Sequence, residues 1–198
     1  MAEFTHDAVP HPRTPPLDGL IIAILGGTGE QGRGLARRFA MAGHPVIIGS
    51  RNYNRARATA QEAGHGICGL ANRDAIREAN LVIVTVPYQG HSELLVGLAA
   101  ELAGKIVVDC VNPLGFDQSG AYSLPVPEGS AAQQAAALLP GSTVVAAFHH
   151  VSAVLLLDPE TETLDQDILV IGDGRAATDL VQALAARMRA RYERWPWK

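Results

Sequence analysis

Apolar residues in this chain gather in short runs separated by stretches with helical spacing. Leu20–Leu25 is six apolar residues in a row, and Val46–Ile48, Leu81–Val86 (apolar except Thr85), Ile106–Cys110, Thr143–Phe148 and Asp167–Ile171 follow the same style. Runs of this length bounded by Gly, Pro and polar residues predict buried strands, with Ile67–Leu70 a short extra one. Between them, Gln31–Ala42 carries Leu35, Ala36, Phe39 and Ala40 on one helical face and stops at Gly43, ahead of Pro45. Asn54–Ala63 reads as a polar helix ending at Gly64. Arg73–Ala79 reads as a short helix capped by Asn72, and Ser92–Ala103 as one capped by Ser92 and ended by Gly104. Ser130-Ala131-Ala132-Gln133 is a capping-box signature for a helix that Pro140-Gly141 closes. A last helix is expected near Ala176–Tyr192. Val111–Gly129 reads as one long Gly- and Pro-containing loop.

This alternation of strand and helix predicts an α/β fold, a doubly wound parallel sheet with ligands along the carboxyl ends of its strands. The stretch Leu20–Arg51 sharpens the prediction to a Rossmann-type domain. After its first strand, Gly27-Thr28-Gly29-Glu30-Gln31-Gly32 fits G-x-G-x-x-G and opens a helix, with the next strand correctly spaced. Gly27 suits a tight turn, Gly29 lets backbone approach a pyrophosphate, and Gly32 lets helix pack on strand. The helix N-terminus adds free N–H groups and a partial positive charge. Where NAD-binding versions place an Asp or Glu after the second strand, this chain has Ser50-Arg51, with Arg55 one step on. A hydroxyl and two guanidiniums hold a 2′-phosphate that a carboxylate would repel, so NADP is expected over NAD.

Composition narrows the partners. The 198 residues are 47% hydrophobic with a formal net charge of −4, so no basic field draws the chain to nucleic acid. Its apolar runs fall far short of the roughly 20 residues of a membrane span. No signal-peptide pattern opens the chain, and a cytoplasmic location is expected. Cys68 and Cys110 read as small buried hydrophobes in a reducing compartment. Residues 1–18, rich in Pro, read as a disordered arm, residues 19–186 as the domain, and residues 187–198 as a basic tail. No metal-spaced cluster or Ser-His-Asp set stands out. His149 and His150, as strand neighbours, are expected on opposite faces, one of them a core hydrogen-bonder or a ring contact.

Six motifs in order carry a more specific likeness: G-G-T-G-E-Q-G at 26–32, I-I-G-S-R at 47–51, V-P-Y at 86–88, D-C-V-N-P-L-G-F at 109–116, G-S-A-A at 129–132 and A-F-H-H-V-S-A at 147–153. Together they resemble the F420-dependent NADP reductases, from about Leu20 to Ala186. The resemblance implies that Thr28, Gly29, Glu30 and Gln31 form the phosphate loop and that Ser50, Arg51 and Arg55 clamp the 2′-phosphate. It implies that Val86, His91 and Ala153 lie at the nicotinamide. It also implies that Pro87, Tyr88, Asn112, His149 and Val151 wall the deazaflavin ring. The activity implied is hydride exchange between NADP(H) and coenzyme F420, needing no protein nucleophile, because the cofactors carry the reactivity. The family's usual continuation, which completes the deazaflavin pocket and helps build a homodimer, is not matched after Ala186, so a reduced C-terminal part is expected. An NADPH-dependent reductase of a flavin, imine or keto acid, and a non-catalytic NADP(H)-binding module, are the other readings.

Overall fold

A computed structural model of the protein describes residues 16–161, 163–164 and 166–193. The expectations for residues 1–15 and 194–198 lie outside the described residues.

The strands are β1 (Ile22–Leu25), β2 (Val46–Ser50), β3 (Cys68–Ala71), β4 (Leu81–Val84), β5 (Ile106–Asp109), β8 (Thr143–Ala147) and β9 (Val170–Ile171), joined in one sheet of order β3-β2-β1-β4-β5-β8-β9. All pairs are parallel except the edge pair of β8 with β9. The helices are α1 (Glu30–Met41), α2 (Tyr53–Ala63), α3 (Asn72–Glu78), α4 (His91–Leu102), α5 (Ala131–Leu138), α6 (Ala153–Leu157) and α7 (Arg175–Glu193). They cover both faces. Ile22, Ile24, Ile48, Ile83 and Val108 face the layer that contains Leu35, Phe39, Leu156 and Val181. Ala23, Leu25, Val82, Val84 and Val107 face the layer that contains Ile76, Leu95 and Ala135. This two-sided burial is why the strands read as continuous apolar runs rather than alternating ones. Chain order reverses between β1 and β4, so the crevice outside their carboxyl ends is the switch point of the sheet.

Six details differ from the sequence reading. Asn72 is buried as the first residue of α3, whose cap is Ala71, and Gly90 rather than Ser92 precedes α4. A single 3-10 turn, Tyr88–Gly90, leads into α4 and moves the helix start back to His91. The 111–129 loop contains a hairpin, β6 (Leu114–Asp117) against β7 (Gly120–Ser123). Its strands are mostly exposed, so no apolar run marks them. Cys68 is exposed, on the outer strand β3, while Cys110 is buried. The strand expected at Asp167–Ile171 is two residues long, because only Val170 and Ile171 pair with β8. The capping box at Ser130 forms as expected, with Ser130 Oγ accepting from the Gln133 N–H at 3.2 Å. The stretch expected to be tail from residue 187 begins inside α7, where Met188 packs in the core.

Candidate functional site

The site begins where β1 stops. Gly26 turns the chain with φ of +77°, and a side chain there would meet Val86 Cγ1 at 2.8 Å, so the loops leaving β1 and β4 touch. A Cβ on Gly27 would lie 2.7 Å from Ile24 O, and one on Gly32 would lie 2.6 Å from Gly27 Cα. Both glycines are therefore demanded by the turn and by the close seating of α1. Gly29 is different. It has an ordinary φ of −82°, and the nearest atom to an added Cβ is Gly26 O at 3.5 Å. The fold has room for a side chain at Gly29, so what the bare backbone provides is clearance for something outside the chain. This position caps α1 without any side-chain hydrogen bond, and the first N–H groups of the helix open to the same space. The loop thus fits a pyrophosphate.

Ser50, Arg51 and Arg55 stand at the end of β2, beside that loop. Ser50 Oγ accepts the Asn52 N–H at 3.1 Å, and Asn52 Oδ1 caps α2 by accepting the Arg55 N–H at 3.1 Å. That cap places Arg55 in the first turn of α2. Arg51 and Arg55 are exposed, and neither guanidinium has a carboxylate partner among the described residues. Two exposed guanidiniums at this strand end offer the charge-assisted donors that a 2′-phosphate would take.

The third part is the turn after β8. Phe148 is fully buried, packs edge-on against Phe39 at 5.6 Å and adopts φ of +62°, a conformation rare for a bulky residue. Its carbonyl accepts from Gln31 Nε2 at 3.1 Å, and the next carbonyl, His149 O, accepts from Asn112 Nδ2 at 2.6 Å. Gln31 and Asn112 therefore spend their amides on bracing this turn. The turn delivers Ala153 to the start of α6. On the far end of α6, the buried Arg38 donates to Leu156 O at 2.9 Å and Leu155 O at 2.7 Å, satisfying carbonyls that the short helix leaves open.

A cavity of about 510 Å³ lies where β5 and β8 end, bounded by Asp109, Asn112, Gln133, His149, Ile171 and Asp173. Beneath it is a buried polar chain. His91 Nε2 lies 2.6 Å from Asp109 Oδ2, and His91 Nδ1 lies 3.3 Å from Gln134 Oε1. Asp109 Oδ1 accepts the Val111 N–H at 2.8 Å. Burial alone would lower the His91 pKa, but the hydrogen bond and charge of Asp109, with help from Gln134, raise it above its ordinary value. His149 moves the other way, lowered by burial and by neighbouring His150, against an opposing pull from Asp109. Burial, with the Asp109 charge, pushes the Cys110 thiol up, and it donates to Ala147 O at 3.0 Å.

The structure thus brings Thr28–Gln31, Ser50, Arg51 and Arg55 together at one end and Asn112 and His149 together at the other. Val86, Pro87 and Tyr88 follow β4 between them, partly exposed or exposed. Two expected contacts are corrected. The His91 ring has no exposed surface and both its nitrogens are bound by protein, so it backs the site rather than touching a ligand. Val151 is 5% exposed and belongs to the core, because the left-handed Phe148 turns it inward. His149 and His150 are not on opposite faces either. They lie beyond the strand with ring centres 5.1 Å apart, and His150 Nε2 sits 2.8 Å from Asp167 O. Among the described residues no group of three or more His, Cys, Asp or Glu could hold a metal ion. Gln133, Ile171 and Asp173 border the cavity without being expected at the site. The sequence marks Gln133 only as part of the capping box and Ile171 only as the end of a strand, and neither signal points to a ligand.

The sequence profile described as NADP oxidoreductase coenzyme F420-dependent matches residues 21–113. The F420-dependent NADP reductase of Methanothermobacter marburgensis is 39% identical over 178 residues, spanning 84% of this chain and 79% of that protein. That of Methanocaldococcus jannaschii is 39% identical over 176 residues, spanning 83% and 78%. A solved structure from Arthrobacter sp. FB24 superposes with a TM-score of 0.71 at 30% identity, covering 85% of this chain and 81% of its own.

Proposed function

The chain belongs to the F420-dependent NADP reductase family, and on that premise we propose that it exchanges a hydride between NADP(H) and coenzyme F420. The observation that carries the nucleotide half is the paired geometry at β1 and β2. Clearance over Gly29 and the free guanidiniums of Arg51 and Arg55 form a dinucleotide site with a place for a 2′-phosphate. Backbone N–H groups at the start of α1 bind the pyrophosphate, and Thr28, Glu30 and Ser50 complete its surroundings. The nicotinamide half then runs along the switch-point crevice toward Val86 and Ala153.

The acceptor half is the wall formed by Pro87, Tyr88, Asn112 and His149, with the cavity behind it supporting this reading. The two cofactors supply the redox chemistry. The protein's task is to hold two flat rings face to face and keep water out, which is where a well-oriented site gains its rate. A half-buried His149, neutral by its lowered pKa, offers a hydrogen bond there without adding charge. We also take residues 19–186 as one cofactor-binding domain, supported by the seven-stranded sheet that runs through it. The two free thiols favour a reducing, cytoplasmic setting.

The test is purified protein with NADPH and oxidised F420, following loss of deazaflavin absorbance, with NADPH affinity measured alongside. Turnover that requires both cofactors is the expected result. Tight NADPH binding with no F420 reduction would sink the acceptor assignment and leave the nucleotide site standing.

A further inference from the structure

The hydrogen bonds around His91 assign its protonation state. Gln134 Nε2 donates to Glu128 Oε2 at 3.2 Å, which turns the Gln134 carbonyl oxygen toward His91 Nδ1. An amide oxygen only accepts, so Nδ1 must carry a proton. Nε2 faces Asp109 Oδ2 at 2.6 Å, the distance of a charge-assisted bond, and with Asp109 as a carboxylate, which only accepts, Nε2 donates as well. A ring that donates from both nitrogens is an imidazolium. This cation is wholly buried, as is Asp109 at 2% exposure, and it occupies the first residue of α4, where the helix dipole disfavours positive charge. Buried ion pairs add little net stability compared with apolar packing. Position explains this one better. The two residues join the loop leaving β4 to the loop leaving β5, and Gln134 adds α5. Through Val111 and Asn112 the same network reaches the His149 carbonyl. Asp109 also borders the cavity.

We infer that His91, clamped between Asp109 and Gln134, is a positioning residue for the acceptor end of the site: it cancels the Asp109 charge at the cavity floor and locks the loops that frame the acceptor. The inference rests on the proposed F420 reading. A ring that receives a hydride gains electron density, and an unpaired carboxylate beside it would oppose that gain. With His91 protonated, the floor is neutral. Once His91 loses its proton, Asp109 stands uncompensated and the tie between the loops is weakened. The titratable groups around the pair are Glu128 behind Gln134, Tyr88 stacked on His91 with ring centres 6.1 Å apart, and Cys110 and His149 beside Asp109.

The experiment pairs 15N spectra of histidine-labelled full-length protein with the pH dependence of kcat/KM for oxidised F420 at saturating NADPH. The unaltered chain should show a His91 ring protonated on both nitrogens at pH 7. Its kcat/KM should fall on an alkaline limb with a one-proton slope, about tenfold per pH unit, whose midpoint matches the His91 titration. Gln134→Leu removes the Nδ1 acceptor and should move both midpoints down in pH together, with NADPH affinity unchanged. His91→Gln should remove the limb, and thermal unfolding checks that it folds. A neutral His91 at pH 7, or a limb that ignores Gln134→Leu, overturns the inference while the F420 reading stands. An unaltered chain that reduces no F420 at any pH defeats that reading instead, and the positioning role with it.

Discussion

Glycines 29 and 32 show how one residue type serves two ends. Gly32 has Gly27 Cα and Thr85 Oγ1 inside 3.0 Å of where a Cβ would go, whereas Gly29 has nothing closer than 3.5 Å. Gly29→Val should therefore leave the melting temperature within about 2 °C of the parent and abolish NADPH binding. Gly32→Val should lower the melting temperature sharply. Thermal unfolding and NADPH fluorescence titration of the two variants separate ligand clearance from packing. Equal destabilisation by both would defeat the distinction. The motif spacing alone assigns Gly29 to the ligand and Gly32 to packing, and the structure supplies the distances behind that division, which depend on neighbours far along the chain. Arg51 and Arg55 are the second residue-scale test. Replacing both with Ala should weaken NADPH by about 10- to 100-fold, the scale of one or two charge-assisted hydrogen bonds. NADH affinity should change little. Equal losses for the two nucleotides would remove the 2′-phosphate argument.

Three elements meet at the turn after β8. Gln31 on α1 and Asn112 after β5 hold consecutive carbonyls of a turn whose first residue, Phe148, sits at φ +62°. Such backbone costs on the order of 1–3 kcal/mol and persists only when its surroundings over-determine it. Gln31→Leu should lower stability by about 1 kcal/mol. It should also slow hydride transfer several-fold more than it weakens NADPH, since the turn sets Ala153 and not the phosphate loop. Denaturant unfolding and single-turnover kinetics measure the two effects, and a loss confined to NADPH affinity would return Gln31 to a direct phosphate role. The hairpin β6–β7 was missed for a related reason. Its four-residue strands expose Phe116 and Tyr122 and stack the Tyr122 ring over Gly115. With no buried face there is no apolar run to read.

At the scale of the whole molecule, two buried histidines contribute pH dependence of opposite sign. His44 is held below its ordinary pKa by burial and by the Arg187 charge, so its contribution to stability is present above the unfolded value and lost as pH falls. His91 is held above its ordinary value, so its contribution is complete below the unfolded value of about 6.5 and is lost as pH rises through the folded one. Stability should decline on both sides of neutrality, and His91→Gln should flatten the alkaline side only. Melting temperature across pH 5–10, a range set about the ordinary histidine pKa, checks this. An alkaline decline that survives in His91→Gln would assign it to another group. Ligand coupling is global too. NADPH at 100 times its dissociation constant should add about 2.7 kcal/mol, or about 5–10 °C for a chain of this size.

The alternation of the sheet's strands with helices, the glycine-rich turn after β1 and the preference for NADP were determined by the sequence by itself, whereas the β6–β7 hairpin and α6 were not. Each depends on residues within one strand–turn–helix unit, where period, glycine spacing and a single charged position carry the information. The family likeness was legible for the same reason, as six short motifs in order. Tertiary structure decided the rest. His91 and Val151 look like site residues in the chain, yet one is sealed by Asp109 and Gln134 and the other is turned into the core by Phe148. The cavity takes its walls from β5, α5, the β8 turn and β9. No local pattern reports what lies between elements that meet only when the sheet is assembled.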